Sequence, residues 1–322
     1  MKEQIKVAAV QFEMAQNDKK TNLSTMARMV EEAAAKGVEV LCFPELCTTG
    51  YHFLTSLTED ALLDIAESAD AGPTVDFIHQ LAKQHHVTIL FGMLERSESD
   101  RMYNTCVVVT SDGPIFKHRK VHAFENTAIR QGDRLDTFDL HGWCCGILIC
   151  YDLNLPENPR VLSLNGAEII FAPHQTGGFD IDRAGMGRIP LEYWQSRHED
   201  PIPMRQAILG PQGREWLIKW LPSRSYDNSV YTIFSNGVGI DGVEVRTGGS
   251  MIIDPEGIVI AETTEAEDSI AIAVLSKSAL KDTLGASHIL SRRPSLYEKI
   301  CAPIDERSTR DIRNRISGET IR

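Results

Sequence analysis

The sequence of 322 residues lacks a long apolar run, an excess of basic residues and any paired Cys-x-x-Cys motif. No apolar stretch approaches the roughly 18 residues that a membrane-spanning helix needs. The first apolar run, at residues 7–10, ends at Gln11 and is too short for the hydrophobic region of a signal peptide. We therefore expect a soluble, cytoplasmic protein that does not associate with a membrane.

The charge balance excludes a further class of partners. The chain carries 33 Lys and Arg residues against 45 Asp and Glu residues, which gives a net charge of −12 at pH 7. Nucleic acid and anionic membranes bind basic surfaces, so neither is an expected partner. The one short basic stretch, at residues 117–120, is too small for a nucleic-acid patch and fits the end of a strand instead.

The cysteines predict free thiols in a reducing compartment, because their number is odd and they form no Cys-x-x-Cys pair. They are Cys42, Cys47, Cys106, Cys144, Cys145, Cys150 and Cys301. Adjacent cysteines on a strand point to opposite faces, so Cys144 and Cys145 cannot readily share one metal ion. We expect neither a metal nor an organic cofactor.

The order of apolar patterns predicts one mixed α/β domain with sheets covered by helices. In the first third, strands are predicted at residues 5–12, 38–46 and 88–95, and helices at residues 23–33 and 74–86. Further strands are predicted at residues 104–110, 115–121, 143–150, 168–173, 231–238, 250–254, 258–261 and 269–275, with a helix at residues 156–165. We expect the domain to cover residues 1–290 and a charged tail to cover residues 291–322.

One segment, residues 176–213, departs from this alternation. It is rich in Gly, Pro and charged residues and shows no clear strand period. A loop of this length in a compact domain is usually functional or disordered. Because it contains Trp194, with Trp216 and Trp220 just beyond it, we expect an ordered cover over a pocket. A contact between subunits is the alternative.

Cys150 lies where a buried apolar strand ends and a turn rich in Pro and Asn begins. A buried cysteine is by itself most often a small apolar residue. Active sites of α/β proteins, however, collect at strand ends, where a rigid backbone meets an open crevice. The position of Cys150 therefore makes it a candidate nucleophile, which needs a base and a nearby cation.

Glu45 is the candidate base. It ends an apolar run directly after Pro44, and removal of a carboxylate from water raises its pKa toward the range of a general base. A charge that simply emerges into solvent would give the same pattern.

Lys120 is the candidate cation, because strand alternation directs it away from the face of Lys117 and Arg119. His118 and His122 share the face of Lys120, and either remains an alternative acid–base group.

Three short motifs, Phe43-Pro44-Glu45, Arg119-Lys120-Val121-His122 and Cys150-Tyr151-Asp152, resemble the signatures of the nitrilase superfamily of carbon–nitrogen hydrolases. The resemblance extends over nearly the whole chain, and the order and spacing of the motifs make it specific. It implies an α/β fold in the form of a four-layer α-β-β-α sandwich, with Glu45, Lys120 and Cys150 as the catalytic triad.

The resemblance also implies a second glutamate, which maps to Glu125 because Gly132 follows it at the family's spacing. Four further residues are expected to contact the substrate: Tyr51, Tyr151, Gln175 and Thr176. Four arginines of the cover segment are candidates to bind a substrate carboxylate: Arg183, Arg188, Arg197 and Arg205.

The activity implied by the resemblance is hydrolysis of a non-peptide C–N bond in a small linear amide or N-carbamoyl (ureido) compound. The reaction passes through a cysteine thioester and releases ammonia. Cys-Tyr-Asp after the nucleophile is similar to the amidase and carbamoylase branches, whereas nitrile-hydrolysing members tend to have Cys-Trp-Glu. Nitrile hydrolysis, acyl transfer to an amine and a catalytically silent binding protein remain alternatives.

The resemblance further implies a homodimer or a higher homo-oligomer, in which the tail at residues 291–322 packs on a partner subunit. A loose terminus is the alternative for this tail.

Overall fold

The structure, a computed structural model, describes residues 2–179, 187–303 and 307–315. The strands are β1 (Gln4–Gln11), β2 (Val40–Cys42), β3 (Thr88–Arg96), β4 (Met102–Thr110), β5 (Gly113–Arg119), β6 (Ile129–Arg130), β7 (Thr137–Leu140), β8 (Trp143–Ile147), β9 (Ile169–His174), β10 (Tyr231–Asn236), β11 (Val238–Asp241), β12 (Glu244–Thr247), β13 (Met251–Ile253), β14 (Val259–Glu262) and β15 (Ser269–Ser276). The helices are α1 (Lys19–Ala35), α2 (Glu59–Ile65), α3 (Pro73–His85), α4 (Tyr151–Asn154), α5 (Glu157–Leu164), α6 (Leu191–Gln195), α7 (Pro201–Leu209), α8 (Arg214–Ile218), α9 (Leu221–Tyr226), α10 (Leu284–Leu290), α11 (Glu298–Cys301) and α12 (Thr309–Arg315). Short 3₁₀ helices lie at His52–Ser56, Lys277–Leu280 and Pro294–Leu296.

The strands form two mixed sheets and one separate hairpin. The first sheet has the order β15-β1-β2-β3-β4-β5, with β6 paired to β4, and the second has the order β14-β13-β10-β9-β8-β7. Each sheet contains three neighbouring parallel strands, β1-β2-β3 and β8-β9-β10, flanked by antiparallel strands. Strands β11 and β12 pair only with each other.

The two sheets stack face to face, and helices cover their outer faces. Side chains such as Trp143 and Phe171 fill the space between the sheets. Helices α1 and α3 cover the first sheet through residues such as Met26 and Ile78, while α5 and α8 cover the second through Leu162 and Leu217. Burial of each such side chain stabilises the fold by about 1.5–3 kcal/mol. This arrangement confirms the predicted four-layer α-β-β-α sandwich.

Helix α1 shows how local signals place one of these layers. Its first turn is capped by Asp18, whose carboxylate accepts a hydrogen bond of 3.0 Å from the backbone N–H of Thr21. Gly37, at a φ of +72°, turns the chain just past its end. Met26 and Val30 lie between these ends on the buried face, so the predicted helix is confirmed.

The three predicted strands that contain the candidate catalytic residues end earlier in the structure than in the sequence analysis. Strand β2 ends at Cys42, β5 at Arg119 and β8 at Ile147. Pro44 has no N–H for a ladder hydrogen bond, and Leu46 and Cys150 both adopt a φ of +49°, which no strand permits. The strand boundaries predicted at residues 38–46, 115–121 and 143–150 were therefore wrong. The candidate residues lie on the turns that follow the strands.

The long segment after β9 is ordered where the structure describes it. Residues 187–213 contain α6 and α7, and Trp194 and Met204 pack with Val238 and Val245 of the β11–β12 hairpin. These helices form a small core beside the hairpin, and the cover over a pocket expected at residues 176–213 stays a prediction. In the described ranges, no helix is both long and apolar enough to cross a membrane.

Candidate active site

Glu45 lies in the turn that follows β2 and is fully buried. The turn packs tightly on Gly92 of β3, where any Cβ atom would collide with the backbone nitrogen of Leu46. The backbone N–H of Glu45 donates to the carbonyl oxygen of His174 at 3.3 Å, which joins the turn to the second sheet. The carboxylate is thereby held at the junction between the two sheets.

Lys120 follows the last residue of β5 and is also fully buried. Its backbone N–H donates to the carbonyl oxygen of Asn104 on β4, and its own carbonyl oxygen accepts from Gly132, both at 2.8 Å. Gly132 is required there, because a Cβ atom would collide with the carbonyl oxygen of Arg119. These contacts fix the lysine backbone on both sides.

Cys150 lies on a strained turn between β8 and α4, with φ +49° and ψ −109°. Non-glycine residues rarely adopt a positive φ, and such strain concentrates at functional sites. Its backbone N–H donates to the carbonyl oxygen of Pro173 at 2.9 Å. The turn therefore presents the sulfur at the edge of the second sheet, much as a strand-to-helix elbow presents a nucleophile.

The side chains of these three turns converge. The Nζ atom of Lys120 lies 2.6 Å from Oε1 of Glu45 and also bonds Oε1 of Glu125. The charges of Glu45 and Lys120 both act on the thiol of Cys150. A residue that the sequence analysis missed, Asn104, donates from Nδ2 to Glu45 at 2.7 Å and to Glu125 at 2.8 Å.

Burial and charge set distinct protonation states in this cluster. Burial raises the pKa of Glu45 to about 7, with the charge of Lys120 opposing the rise and the charge of Glu125 adding to it. Burial likewise raises the pKa of Cys150 to about 12, and the charge of Glu45 adds to the rise. Burial would lower the pKa of Lys120, but the charges of Glu125 and Glu45 raise it well above its ordinary value. Because its pKa lies near neutrality, Glu45 is the group of this cluster that can exchange a proton at pH 7.

Two histidines that the sequence left as alternatives contact Asp152 instead. The backbone N–H and the Nδ1 atom of His122 lie 2.8 and 2.9 Å from Oδ1 of Asp152, and the N–H of Val121 donates to Oδ2 at 3.1 Å. Nε2 of His118 lies 3.8 Å from Oδ2 of the same carboxylate. Asp152 thus ties the turn of the nucleophile to the loop that follows Lys120.

A cavity of about 190 Å³ opens at the sulfur. Its lining consists of Tyr51, Phe124, Cys150, Tyr151, Asn154, Gln175, Thr176, Phe179 and Trp216. All four residues expected to contact the substrate are among them. Ligand pockets for drug-sized molecules measure about 300–1,000 Å³, whereas a cavity of about 150 Å³ holds benzene, so a small substrate fits here. A larger cleft of about 790 Å³, along the outer edge of β5, does not include Cys150.

The described arginines of the cover segment do not line this cavity. Arg197 instead donates to the carbonyl oxygens of Ala266 at 3.0 Å and Trp194 at 2.8 Å. Arg183 lies outside the described residues. In the part of the chain that the structure describes, no group of three His, Cys, Asp or Glu side chains could hold a metal ion.

The whole chain is similar to a known enzyme family. A family model described as carbon–nitrogen hydrolase matches residues 6–283. The chain therefore belongs to the carbon–nitrogen hydrolase family, in agreement with the resemblance of its motifs.

Individual relatives bear names of nitrile and amide enzymes. The chain is 29% identical over 272 residues to a nitrilase of Pyrococcus abyssi, with 84% of this chain and 88% of the relative covered. It is 28% identical over 302 residues to a chloroplastic omega-amidase of Arabidopsis thaliana, with 88% and 71% covered. Among solved structures, a double mutant of the amidase from Nesterenkonia sp. AN1 in complex with acrylamide matches with a TM-score of 0.69. That match covers 93% of this chain and 98% of the other at 17% identity, and it supports the fold.

Proposed function

We propose that this carbon–nitrogen hydrolase cleaves small amides or N-carbamoyl compounds through a thioester on Cys150 and releases ammonia. One observation carries the proposal. A single buried ammonium, that of Lys120, lies between two carboxylates beside a thiol that opens into a small cavity. Burial and a second carboxylate raise the pKa of Glu45 to about 7, while the two carboxylates keep the Lys120 ammonium charged.

The first step is attack of the sulfur on the carbonyl carbon of the substrate. The high pKa of Cys150 keeps the thiol protonated at rest, so the proton must leave as the S–C bond forms. Glu45 accepts this proton, and its pKa of about 7 suits a general base at neutral pH.

The negative charge that develops on the substrate oxygen needs donors. An ammonium has three hydrogens, and two of those on Lys120 bond the two carboxylates, which leaves one for the oxygen. The backbone N–H of Tyr151, directly after the nucleophile, is the second proposed donor. Loss of one such donor typically slows a reaction by about 10²–10³-fold.

Glu45 next returns the proton to the leaving nitrogen, the C–N bond breaks, and ammonia departs. A water molecule then attacks the thioester while Glu45 accepts one of its protons. The C–S bond breaks, and the proton passes from Glu45 back to the sulfur. An amide thereby gives a carboxylic acid, and an N-carbamoyl compound gives a carbamic acid that loses carbon dioxide to leave the amine. Every proton that Glu45 takes is given back, and no atom changes its oxidation state, so the steps need no redox partner.

The cavity lining favours an uncharged acyl group. Five of its residues are aromatic, and among the described residues it contains no Arg, Lys, Asp or Glu. A carboxylate without a partner would be costly to bury there. Two of these rings also contact cations. Nζ of Lys120 lies 4.7 Å from the centre of the Phe124 ring, and the guanidinium carbon of Arg246 lies 4.7 Å from the centre of the Phe179 ring. This lining supports small neutral amides over acyl groups that end in a carboxylate.

We further propose a cytoplasmic homodimer or higher homo-oligomer, with a catalytic domain at residues 1–290 and a tail at 291–322. Exposed apolar side chains on helical surfaces, such as Leu164 at 46% and Leu290 at 86%, support an interface. In the described part of the tail, Arg310 donates to the carbonyl oxygens of Phe124, at 3.2 Å, and of Asn126, so α12 reaches the loop of Glu125. Seven free cysteines fit a reducing cytoplasm.

Ammonia release from a panel of neutral amides, amides of dicarboxylic acids, ureido acids and nitriles tests the proposed function. The wild type should release ammonia from at least one small amide or ureido compound, with Cys150→Ala as an inactive blank that still binds the substrate. Turnover by Cys150→Ala would contradict the nucleophile, and release from nitriles alone would favour nitrile hydrolysis. Formation of an amide product from an added amine would favour acyl transfer. Absence of ammonia release from every compound would favour a catalytically silent binding protein.

A further inference from the structure

Asn104 is the residue of the cluster that neither the three motifs nor the wider resemblance identified. It lies on β4, is 1% exposed, and contacts three other members of the site. Its carbonyl oxygen accepts the backbone N–H of Lys120 at 2.8 Å. Its Nδ2 atom donates to Oε1 of Glu45 at 2.7 Å and to Oε1 of Glu125 at 2.8 Å. One amide group thus bridges the two carboxylates of the site.

The orientation of this amide is set by its donors. Its two N–H bonds match two carboxylate oxygens, whereas its Oδ1 atom is buried and accepts no hydrogen bond from the described residues. A flipped amide would direct this oxygen at two negative charges, which Coulomb repulsion forbids. The unsatisfied oxygen is itself unfavourable, so the bridge to Glu45 and Glu125 is the interaction that holds the side chain in place.

The bridge also determines which oxygen of Glu45 is available. Oε1 is occupied by Asn104 and by Nζ of Lys120. Oε2 is buried and accepts no hydrogen bond from the described residues. The general base therefore has one bound oxygen, which fixes the carboxylate plane, and one oxygen left for the proton of the thiol.

We propose that Asn104 is a positioning residue, whose amide holds Glu45 and Glu125 around Lys120 so that Oε2 of Glu45 takes the proton of Cys150. An uncharged double donor suits this task. A second cation at this position would hold Glu45 firmly ionised and weaken it as a base, while an apolar residue would leave the two carboxylates to repel each other across Lys120. The inference rests on the proposed amide hydrolysis for its meaning, but its test does not need a substrate.

The test measures alkylation of Cys150 by iodoacetamide against pH, quantified by peptide mass spectrometry. In this reaction the sulfur forms a bond to carbon and iodide leaves, so the rate reports removal of the thiol proton. Burial raises the pKa of Glu45 to about 7, and the hydrogen bond of Asn104 opposes that rise. The wild-type rate should therefore increase through about pH 7. The exposed Cys301 serves as an internal reference for the reagent.

Asn104→Leu keeps a similar shape but removes both donors. The midpoint of the pH-dependent rise in the alkylation rate of Cys150 should move to higher pH by about one unit. The reason is that hydrogen bonds to the ionised form no longer lower the pKa of Glu45. With a hydrolysed amide, kcat/KM at pH 7 should fall about tenfold, as expected for loss of general-base efficiency, and recover in part at higher pH. An unchanged midpoint in a folded Asn104→Leu protein would overturn the proposal.

The neighbouring strand residue offers a matched control. Thr105 is also buried and donates to a carboxylate, Oε2 of Glu95, at 2.6 Å, but on the opposite face of β4. Thr105→Val should leave the midpoint of Cys150 unchanged, and an equal shift in this variant would overturn the assignment to Asn104. Should Asn104→Leu not fold, Asn104→Ser retains one donor and should show a smaller upward shift. An unshifted midpoint in that variant would equally refute the proposal.

The two proposals can fail separately. Absence of ammonia release from every compound in the wild type would contradict the proposed function, yet the alkylation profiles would still decide the role of Asn104. Conversely, an active wild type with identical profiles in Asn104→Leu would contradict the positioning role alone.

Discussion

Two charged clusters lie on opposite faces of the sheet that contains β3, β4 and β5. The catalytic cluster consists of Glu45, Asn104, Lys120 and Glu125. The outer cluster consists of Glu95, Thr105, Lys117 and Arg119. Asn104 and Thr105 are neighbours in sequence, as are Arg119 and Lys120, and the alternation of side chains along an extended backbone directs the members of each pair to opposite faces.

The clusters differ in charge balance and in exposure. In the outer cluster, two cations contact the buried carboxylate of Glu95, and one of them, Lys117, also pairs with the exposed Asp70. The side chains of Lys117 and Arg119 are 28% and 33% exposed. Burial would raise the pKa of Glu95, but hydrogen bonds from Arg119, Thr105 and Lys117 hold it below its ordinary value. In the catalytic cluster, one cation serves two carboxylates without exposure, and the pKa of Glu45 rises to about 7.

The partners and the exposure of each buried carboxylate therefore distinguish the two clusters. Hydrogen bonds from two cations and a hydroxyl keep Glu95 ionised, whereas Glu45 shares its single cation with a second carboxylate and can exchange a proton at neutral pH. Active sites commonly keep such unfavourable arrangements because reactivity requires them.

Removal of the catalytic cation should have the largest effect. Lys120→Met should lower kcat/KM by at least about 10³-fold, because it removes a proposed oxyanion donor and the group that orders Glu45. The free energy of unfolding should fall by about 3–5 kcal/mol, since two buried carboxylates lose their charge partner. Ammonia release and urea unfolding measure the two effects, and we expect the variant to remain folded.

The matched control is the outer lysine. Lys117→Met removes partly exposed ion pairs with Asp70 and Glu95, each of which contributes about 0–1 kcal/mol, and should leave activity unchanged. Wild-type turnover in Lys120→Met, or equal losses of activity in both variants, would remove the distinction between the clusters.

A smaller effect should distinguish Glu45 from Glu95, because their contributions to the free energy of unfolding should change with pH in opposite directions. The pKa of Glu45 rises from 4.5 in the unfolded chain to about 7, so this group costs stability as pH rises through that range. Glu45→Gln should abolish activity yet gain about 2–3 kcal/mol in unfolding free energy relative to wild type between pH 5 and pH 8.

Glu95→Gln should behave in the opposite way. Because the pKa of Glu95 is lowered in the folded protein, its contribution is present above the unfolded pKa of 4.5 and is lost as pH falls. Its replacement should cost about 1–3 kcal/mol at pH 8, with a smaller difference at low pH and no loss of activity. Denaturant titrations at both pH values test this, and the same sign of change for the two variants would contradict the comparison.

Much of the architecture could be predicted from the sequence, because periodicity and turn residues act locally. The mixed α/β class and helices α1, α3 and α5 follow from such patterns, whereas the four-layer arrangement follows from the resemblance of the motifs to a known family. The motifs identified Glu45, Lys120, Cys150 and Glu125, and the structure brings these side chains together, although their catalytic roles stay predictions.

Asn104 and the outer cluster could not be predicted in this way. A lone Asn in an apolar strand signals a buried polar contact, but its partners depend on strand order, which no local pattern encodes. The strand ends were also misjudged, since the positive φ of Leu46 and Cys150 arises from close contacts with other strands rather than from their own residue types.

Mass spectrometry of Cys150 during the first turnover tests the central claim most directly. The enzyme is mixed with a hydrolysed small amide, quenched rapidly with acid and digested. We predict that the peptide containing Cys150 gains the mass of the acyl group as ammonia appears, and that the gain is absent in Cys150→Ala. Ammonia released in the first turnover without an acyl group on Cys150, or with the acyl group on another residue, would contradict the account.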